Sequence, residues 1–222
     1  MKTEYEFLQI ERTGPITTVW LNRPGKFNAL SVNLMAEIEQ VARSFLSDET
    51  TRVVAFRGRG KHFSAGADLK PVRAAAPAPL VMRRRDAALG ARMIRAILEI
   101  DQVTIAGLQG AALGGAACIA TACDFRIGSD DCFCGYPEVN LGMNLMWQSL
   151  PLCVHLIGPA RAKRMIMLGE NENAQTLASW GFLDDVVARE VLDQAVTSMA
   201  DAYASQPPVA VQMIKQSINA VS

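Results

Sequence analysis

The chain has 222 residues, with 22 Lys plus Arg against 22 Asp plus Glu, and half of it is hydrophobic. That suits one well-buried domain with a helical appendage, and a net charge of zero gives no global field to draw nucleic acid or an anionic membrane. The opening Met1-Lys2-Thr3-Glu4-Tyr5-Glu6 is neither an apolar signal peptide nor an acid-poor transit peptide. No uninterrupted apolar stretch reaches bilayer length, so the expectation is a soluble, cytoplasmic protein with no membrane partner.

Phe7 to Ile10 and Ile16 to Leu21 read as strands about a Thr13-Gly14-Pro15 turn. Ser31 is placed to cap a helix whose apolar stripe is Leu34, Ile38, Val41, Ala42 and Phe45. A short strand at Val53 to Phe56 leads into Gly58 to Asp68, too rich in glycine and small residues for a regular element. An Ala- and Pro-rich loop follows from Lys70 to Pro79, then a long helix with Leu89, Met93, Ile97 and Ile100 facing inward. Val103 to Leu108 is a strand running into Gly110-Ala111-Ala112-Leu113-Gly114-Gly115 and a short apolar helix ending near Ala122. Strands follow at Asp124 to Ile127 and Cys132 to Gly135. Beyond Pro137 the pattern turns helical, around 149–157, 161–168, 174–180, 191–203 and from Pro208 onward. Recurring strand–strand–helix units with a helical end predict an α/β fold.

The five cysteines, at 118, 123, 132, 134 and 153, are odd in number and lack framework spacing. With only His62 and His155 to help, no metal site is expected, and the cysteines read as buried reduced thiols.

Two glycine-rich loops each follow a short apolar strand: Ser64-Ala65-Gly66-Ala67-Asp68 and Leu113-Gly114-Gly115-Ala116. Small residues let the backbone approach a ligand with its N–H groups free. The second loop opens a helix, whose orphan N–H groups suit a developing negative charge. One N–H from each loop would make an oxyanion hole, although either loop alone is equally a tight turn packing helix on sheet. Gly107, Gly110 and Gly114 do not form the dinucleotide fingerprint, and no phosphate-loop lysine follows them. In Tyr136-Pro137-Glu138-Val139 an apolar setting would raise the Glu138 pKa towards neutrality and fit it to take and return a proton. Taken alone, Glu138 reads more readily as an ordinary exposed or salt-bridged acid.

Together these residues resemble the crotonase, or enoyl-CoA hydratase/isomerase, family through nearly the whole chain. The resemblance is carried in order by Leu21-Asn22-Arg23-Pro24-Gly25-Lys26-Phe27-Asn28-Ala29-Leu30 and His62-Phe63-Ser64-Ala65-Gly66-Ala67-Asp68-Leu69. It continues through Gly110-Ala111-Ala112-Leu113-Gly114-Gly115, Ala122-Cys123-Asp124-Phe125-Arg126-Ile127 and Pro137-Glu138 with Leu141-Gly142.

The resemblance implies a crotonase-type spiral of strand–strand–helix units over 1–145, with a helical C-terminal region over 146–222. It implies an acyl-CoA substrate, no cofactor beyond the coenzyme A of that substrate, no nucleic-acid partner, and a homotrimer or dimer of trimers. It places the Ala67 and Gly115 amides in the oxyanion hole, makes Glu138 catalytic, and lines the coenzyme A groove with Lys26, Ala65, Gly66, Ala67, Asp68, Leu69 and Lys70. Arg57, Arg59, Lys61 and Lys70 lie near enough in sequence to offer charge to its phosphates, or to form a solvated basic face. Asp68 fits a turn-holding role better than a chemical one. Family members usually continue with further helices past the point matching Ser222.

Two departures stand out. The family's hydratases use two glutamates; Glu138 matches the second, while Cys118 stands at the first. Met143-Asn144-Leu145-Met146-Trp147-Gln148 replaces a Gly- and Pro-rich segment and offers apolar residues to an acyl pocket. One carboxylate suffices for an isomerase, which moves a proton from C2 to C4, and the extra acid of dienoyl-CoA isomerases is Met146 here. Isomerase chemistry is therefore the expectation, with a hydratase or a non-catalytic acyl-CoA-binding protein as alternatives.

Overall fold

The computed structural model describes residues 4–68 and 79–221. The first units are strands β1 (Leu8–Thr13) and β2 (Ile16–Leu21), helix α1 (Val32–Ser44) and strand β3 (Val53–Gly58). Helix α2 (Leu80–Leu98), strands β4 (Val103–Leu108) and β5 (Ala111–Leu113), and helix α3 (Gly115–Ala122) follow, then β6 (Phe125–Ser129) and β7 (Phe133–Gly135). The remainder holds α4 (Ser149–Ile157), α5 (Pro159–Leu168), β8 (Asn171–Asn173), α6 (Ala174–Ser179), β9 (Asp185–Val187), α7 (Leu192–Ala204) and α8 (Pro208–Asn219).

The strands form two sheets, ordered β1-β2-β3-β4-β6-β9 and β5-β7-β8. In the large sheet only β1/β2 is antiparallel. A parallel sheet needs cover on both faces, and β3 and β4 are buried at every position. Helices α1, α2 and α3 pack on one another over the larger core, which takes in Val19, Leu21, Val54 and Phe56. Helix α7 covers the opposite face through Leu192, Val196, Ala200 and Ala204 against Val53, Ala55, Val103 and Ile105. On α1 the Ser31 hydroxyl accepts from Leu34 N at 3.3 Å, and Leu34, Ile38, Val41 and Ala42 are buried, as their spacing predicts.

Three strands escape the sequence pattern. β5 lies inside a stretch read as a glycine-rich loop, and its parallel pairing with β7 gives those backbone groups partners. β8 is Asn-Glu-Asn with no apolar alternation and pairs antiparallel with β7, while β9 extends the large sheet beside β6. Strands from the helical half therefore complete sheets begun in the first half. Helix α8 has no buried residue. It is tied down by Lys215, whose Nζ meets Asp124 at 2.7 Å and Gln102 O at 2.8 Å.

Candidate active site

The two glycine-rich loops are brought together by the backbone. Leu30 N donates to Gly66 O at 2.8 Å and Leu30 O accepts from Asp68 N at 3.2 Å. This parallel bridge to Ala67 turns the Ala67 N–H away from Leu30, and it has no backbone acceptor among the described residues. Ser64 N donates to Ala111 O at 3.0 Å and Leu113 N donates to Ser64 O at 3.2 Å, joining this loop to β5. Gly66 has φ +85°, and a Cβ there would sit 2.4 Å from Leu113 O and 3.7 Å from Gly115 N. Only glycine permits that approach. Gly115 begins α3, so its N–H is an orphan of the first turn at the positive end of the helix dipole.

Asn28 fixes the outer side of this arrangement. It is fully buried with φ +53°, a conformation asparagine tolerates better than most residues. Its Nδ2 donates to Arg59 O and His62 O, both at 2.9 Å, and its Oδ1 accepts from Arg23 N at 2.8 Å. The Ser64 hydroxyl donates to Asn28 O at 2.8 Å. The Arg23 guanidinium meets the Asp68 carboxylate at 3.5 Å, so Asp68 is engaged in holding the turn.

Between the loops and the 3₁₀ turn Pro137–Leu141 lies a cavity of about 110 Å³ whose wall includes Ala67, Gly115, Cys118, Glu138, Leu145 and Trp147. Among the described residues Glu138 is the one carboxylate in that wall. Its Oε2 is buried without a hydrogen-bond partner among the described residues, and burial raises its pKa above the ordinary carboxylate value. A Cβ on Gly114 would stand 3.0 Å from Glu138 Oε1, so glycine also sets the carboxylate's distance from the start of α3. Cys118, one turn into α3, is fully buried, and burial pushes its thiol up to about 12. The neighbouring Ser149 hydroxyl draws that value down and the Glu138 charge pushes it up.

Trp147 closes the inner end. Its ring lies between α2 and α3, where a Cβ on Gly90 would come within 2.0 Å of Cε2 and one on Gly115 within 2.2 Å of Cζ3. Trp147 and Gln148 both adopt left-handed conformations, at φ 61° and 63°, a cost of at least about 1 kcal/mol each for non-glycine residues. The Trp147 indole packs between the two glycines, Gly90 and Gly115.

Of the residues singled out from sequence, Ala65, Gly66, Ala67, Gly115 and Glu138 line this one cavity. Lys26 is exposed on the 3₁₀ turn Pro24–Lys26, while Leu69, Lys70 and the loop up to residue 78 lie outside the described residues. Arg57 and Arg59 do not face the cavity: they line a separate cleft, paired with Asp193 and Glu11 respectively. Sequence reasoning missed Asn28, Gly90 and His62. His62 Nδ1 accepts from Ala111 N at 3.0 Å, and its pKa is lowered by burial and by the Lys61 and Arg189 charges, suiting a neutral acceptor. Gly90 carried a legible signal as an isolated glycine inside a helix.

Among the described residues no cluster could hold a metal ion, and no helix is long and apolar enough to cross a membrane.

The sequence profile of the enoyl-CoA hydratase/isomerase family matches residues 11–222. A short-chain-enoyl-CoA hydratase of Clostridium acetobutylicum is 31% identical over 211 residues, covering 95% of this chain and 80% of that protein. A carnitinyl-CoA dehydratase of Citrobacter koseri is 32% identical over 221 residues, covering 98% and 82%. The crystal structure of an enoyl-CoA hydratase from Bacillus anthracis superposes with a TM-score of 0.90 at 29% identity, covering 96% of this chain and 83% of that one.

Proposed function

The chain belongs to the enoyl-CoA hydratase/isomerase family, and on that footing we propose that it shifts the double bond of an enoyl-CoA with Glu138 as its single proton carrier. The observation that carries this reading is Glu138 itself: among the described residues the only carboxylate on the cavity wall, buried and without a hydrogen-bond partner at Oε2, beside the opening of α3. An ionised carboxylate there accepts the C2 proton of a 3-enoyl-CoA. The electron pair of the broken C–H bond delocalises through the thioester carbonyl and the C3–C4 double bond. The amides of Ala67 and Gly115 donate to the thioester oxygen of that dienolate, each worth about 3–4 kcal/mol in the transition state. Glu138 then returns the same proton to C4, leaving the double bond at C2–C3. No water has to be activated, and no cofactor beyond the coenzyme A of the substrate is needed.

Hydration is the second reading, supported by relatives named as hydratases and a dehydratase. A second acid–base group would have to come from Cys118, whose thiol is held protonated at about 12. The deciding experiment incubates 2-enoyl- and 3-enoyl-CoA isomers separately and identifies products by mass and retention. Interconversion without a mass change of one water supports isomerisation, and 3-hydroxyacyl-CoA formed at a comparable rate overturns it. Coenzyme A itself is proposed to lie along Lys26 and 65–70, where hydrogen exchange with and without acetyl-CoA reads protection. Assembly as a trimer or dimer of trimers fits the exposed Val209, Met213, Ile214 and Ile218 of α8. Light scattering that shows a fully active monomer would count against it.

A further inference from the structure

We propose that Trp147 is the floor of the acyl site and restricts this enzyme to short acyl chains. The inference rests on the acyl-CoA reading of the cavity and goes beyond it by naming the substrate class and the residue that sets it. A thioester oxygen held at Ala67 and Gly115 fixes where the acyl chain starts. From there the tail runs along the wall formed by Glu138, Cys118 and Leu145 towards the gap between α2 and α3. That gap is filled. The indole lies in it with two ring edges where the Cβ atoms of Gly90 and Gly115 would otherwise be.

The remaining space sets the length. Among the described residues the whole cavity, open at its mouth, holds about 110 Å³, below the about 150 Å³ of an enclosed apolar cavity that admits one benzene of six carbons, and the space beyond the thioester suits a short chain. The floor is held by packing: the ring lies against Gly90 of α2 and Gly115 of α3, and it can swing aside only by giving up both contacts. Gly90 is explained by the same contact, since α2 otherwise has no need of a glycine facing its core.

Binding of saturated acyl-CoAs, which need no turnover, tests this by calorimetry. The probes are free coenzyme A and its butyryl, hexanoyl and octanoyl thioesters. The wild type is expected to bind butyryl-CoA more tightly than free coenzyme A and to gain nothing from longer chains. Trp147→Ala is expected to restore a gain of about fourfold per added methylene, so that hexanoyl-CoA exceeds butyryl-CoA by roughly tenfold or more. Trp147→Leu opens less space and is expected to give about one such step, which covers the case in which the alanine variant fails to fold. Gly90→Ala is expected to lower stability by displacing the indole, and to be tolerated when combined with Trp147→Ala.

A wild type that already gains affinity steadily through octanoyl-CoA overturns the floor, as does an unchanged length profile in both Trp147 variants. Butyryl-CoA binding no better than free coenzyme A instead overturns the acyl site itself and the floor with it. A short-chain profile with no turnover of 3-enoyl-CoA leaves the floor standing and removes the isomerase reading.

Discussion

Two clefts among the described residues treat charge in opposite ways. Among the described residues, the cavity at Glu138 holds one carboxylate in a largely apolar wall, with no cation lining it. The second cleft, of about 210 Å³, lies on the side covered by α7 and is lined by Arg57, Arg59 and Arg189 with Trp20, Gln109 and Asp193. There every guanidinium has an acid: Asp193 for Arg57, Glu11 for Arg59 and Asp131 for Arg189. Arg59 also lies 3.7 Å over the Trp20 ring. Paired charge is settled charge, and its free energy has gone into docking α7 and the edge strands onto the sheet. Unpaired, desolvated charge sits at a raised pKa and is ready to exchange a proton. Three arginines are thus the weaker sign of chemistry here, and one lone glutamate the stronger.

The comparison breaks most sharply at Glu138. Glu138→Gln keeps the side-chain volume but cannot cycle a proton, so kcat on a 3-enoyl-CoA is expected to fall by about 10²–10⁴-fold with acyl-CoA affinity nearly unchanged. An active Glu138→Gln enzyme would sink the single-glutamate mechanism. The raised pKa also has a stability consequence whose sign is fixed. The folded chain holds this proton more tightly than the unfolded chain, so the contribution is full below the unfolded value of about 4.3. It is lost as pH rises through the raised folded value. Glu138→Gln should therefore raise Tm relative to wild type at pH 8 and not at pH 4, and thermal melts at the two pH values read it.

Next in size is the loop that presents the Ala67 amide. Gly66→Ala puts a methyl 2.4 Å from Leu113 O at φ +85°, which must move the loop, and loss of one oxyanion donor costs up to about 10²–10³-fold in kcat. Gly14→Ala is the control, since its φ is +56° with nothing within 4 Å of the added methyl. It should cost about 1 kcal/mol and leave kcat alone. Equal kinetic effects from the two variants would mean that strain, not amide placement, is being measured.

In the arginine cleft the expected effects are smaller and fall on stability. Asp193→Ala leaves Arg57, only 4% exposed, without its acid and should cost about 2 kcal/mol. Arg57→Met leaves the mostly exposed Asp193 to water and should cost less, because a buried ion pair replaced on its buried side by an apolar residue is often near neutral. Denaturant melts give the order. Activity within about twofold of wild type in both is the kinetic half of the comparison.

Much of this was legible in the residues, and the exceptions share a cause. Helix α1 followed from the spacing of Leu34, Ile38 and Val41 and the Ser31 cap, because those signals are local. The Ala67 and Gly115 loops and Glu138 were each ambiguous alone and converged only as an ordered set. What stayed hidden was set by partners distant in sequence. β8 is polar and becomes a strand only beside β7. Arg57 looked available to a phosphate until Asp193, 136 residues away, claimed it. The left-handed Trp147 contradicts local preference, and its indole is received by Gly90 and Gly115, which lie far from it in sequence.

The smallest expected effect belongs to Cys118, and its smallness is informative. The residue stands on α3 and lines the same cavity as Glu138, at the position where the resemblance implies the first of a hydratase's two glutamates. Its thiol is held near 12, chiefly by burial, so between pH 5 and 9 it stays protonated and supplies neither a base nor a nucleophile. Cys118→Ala should then cost about 1 kcal/mol or less for the lost sulfur, shift kcat by less than about threefold, and leave the shape of the pH–rate profile unchanged. That profile should rise with pH through one ionisation, the one Glu138 must lose to act as base. A second, alkaline ionisation that is present in wild type and vanishes in Cys118→Ala would place the thiol in the reaction and reopen the two-group mechanism. Superimposed profiles leave Glu138 as the group that titrates.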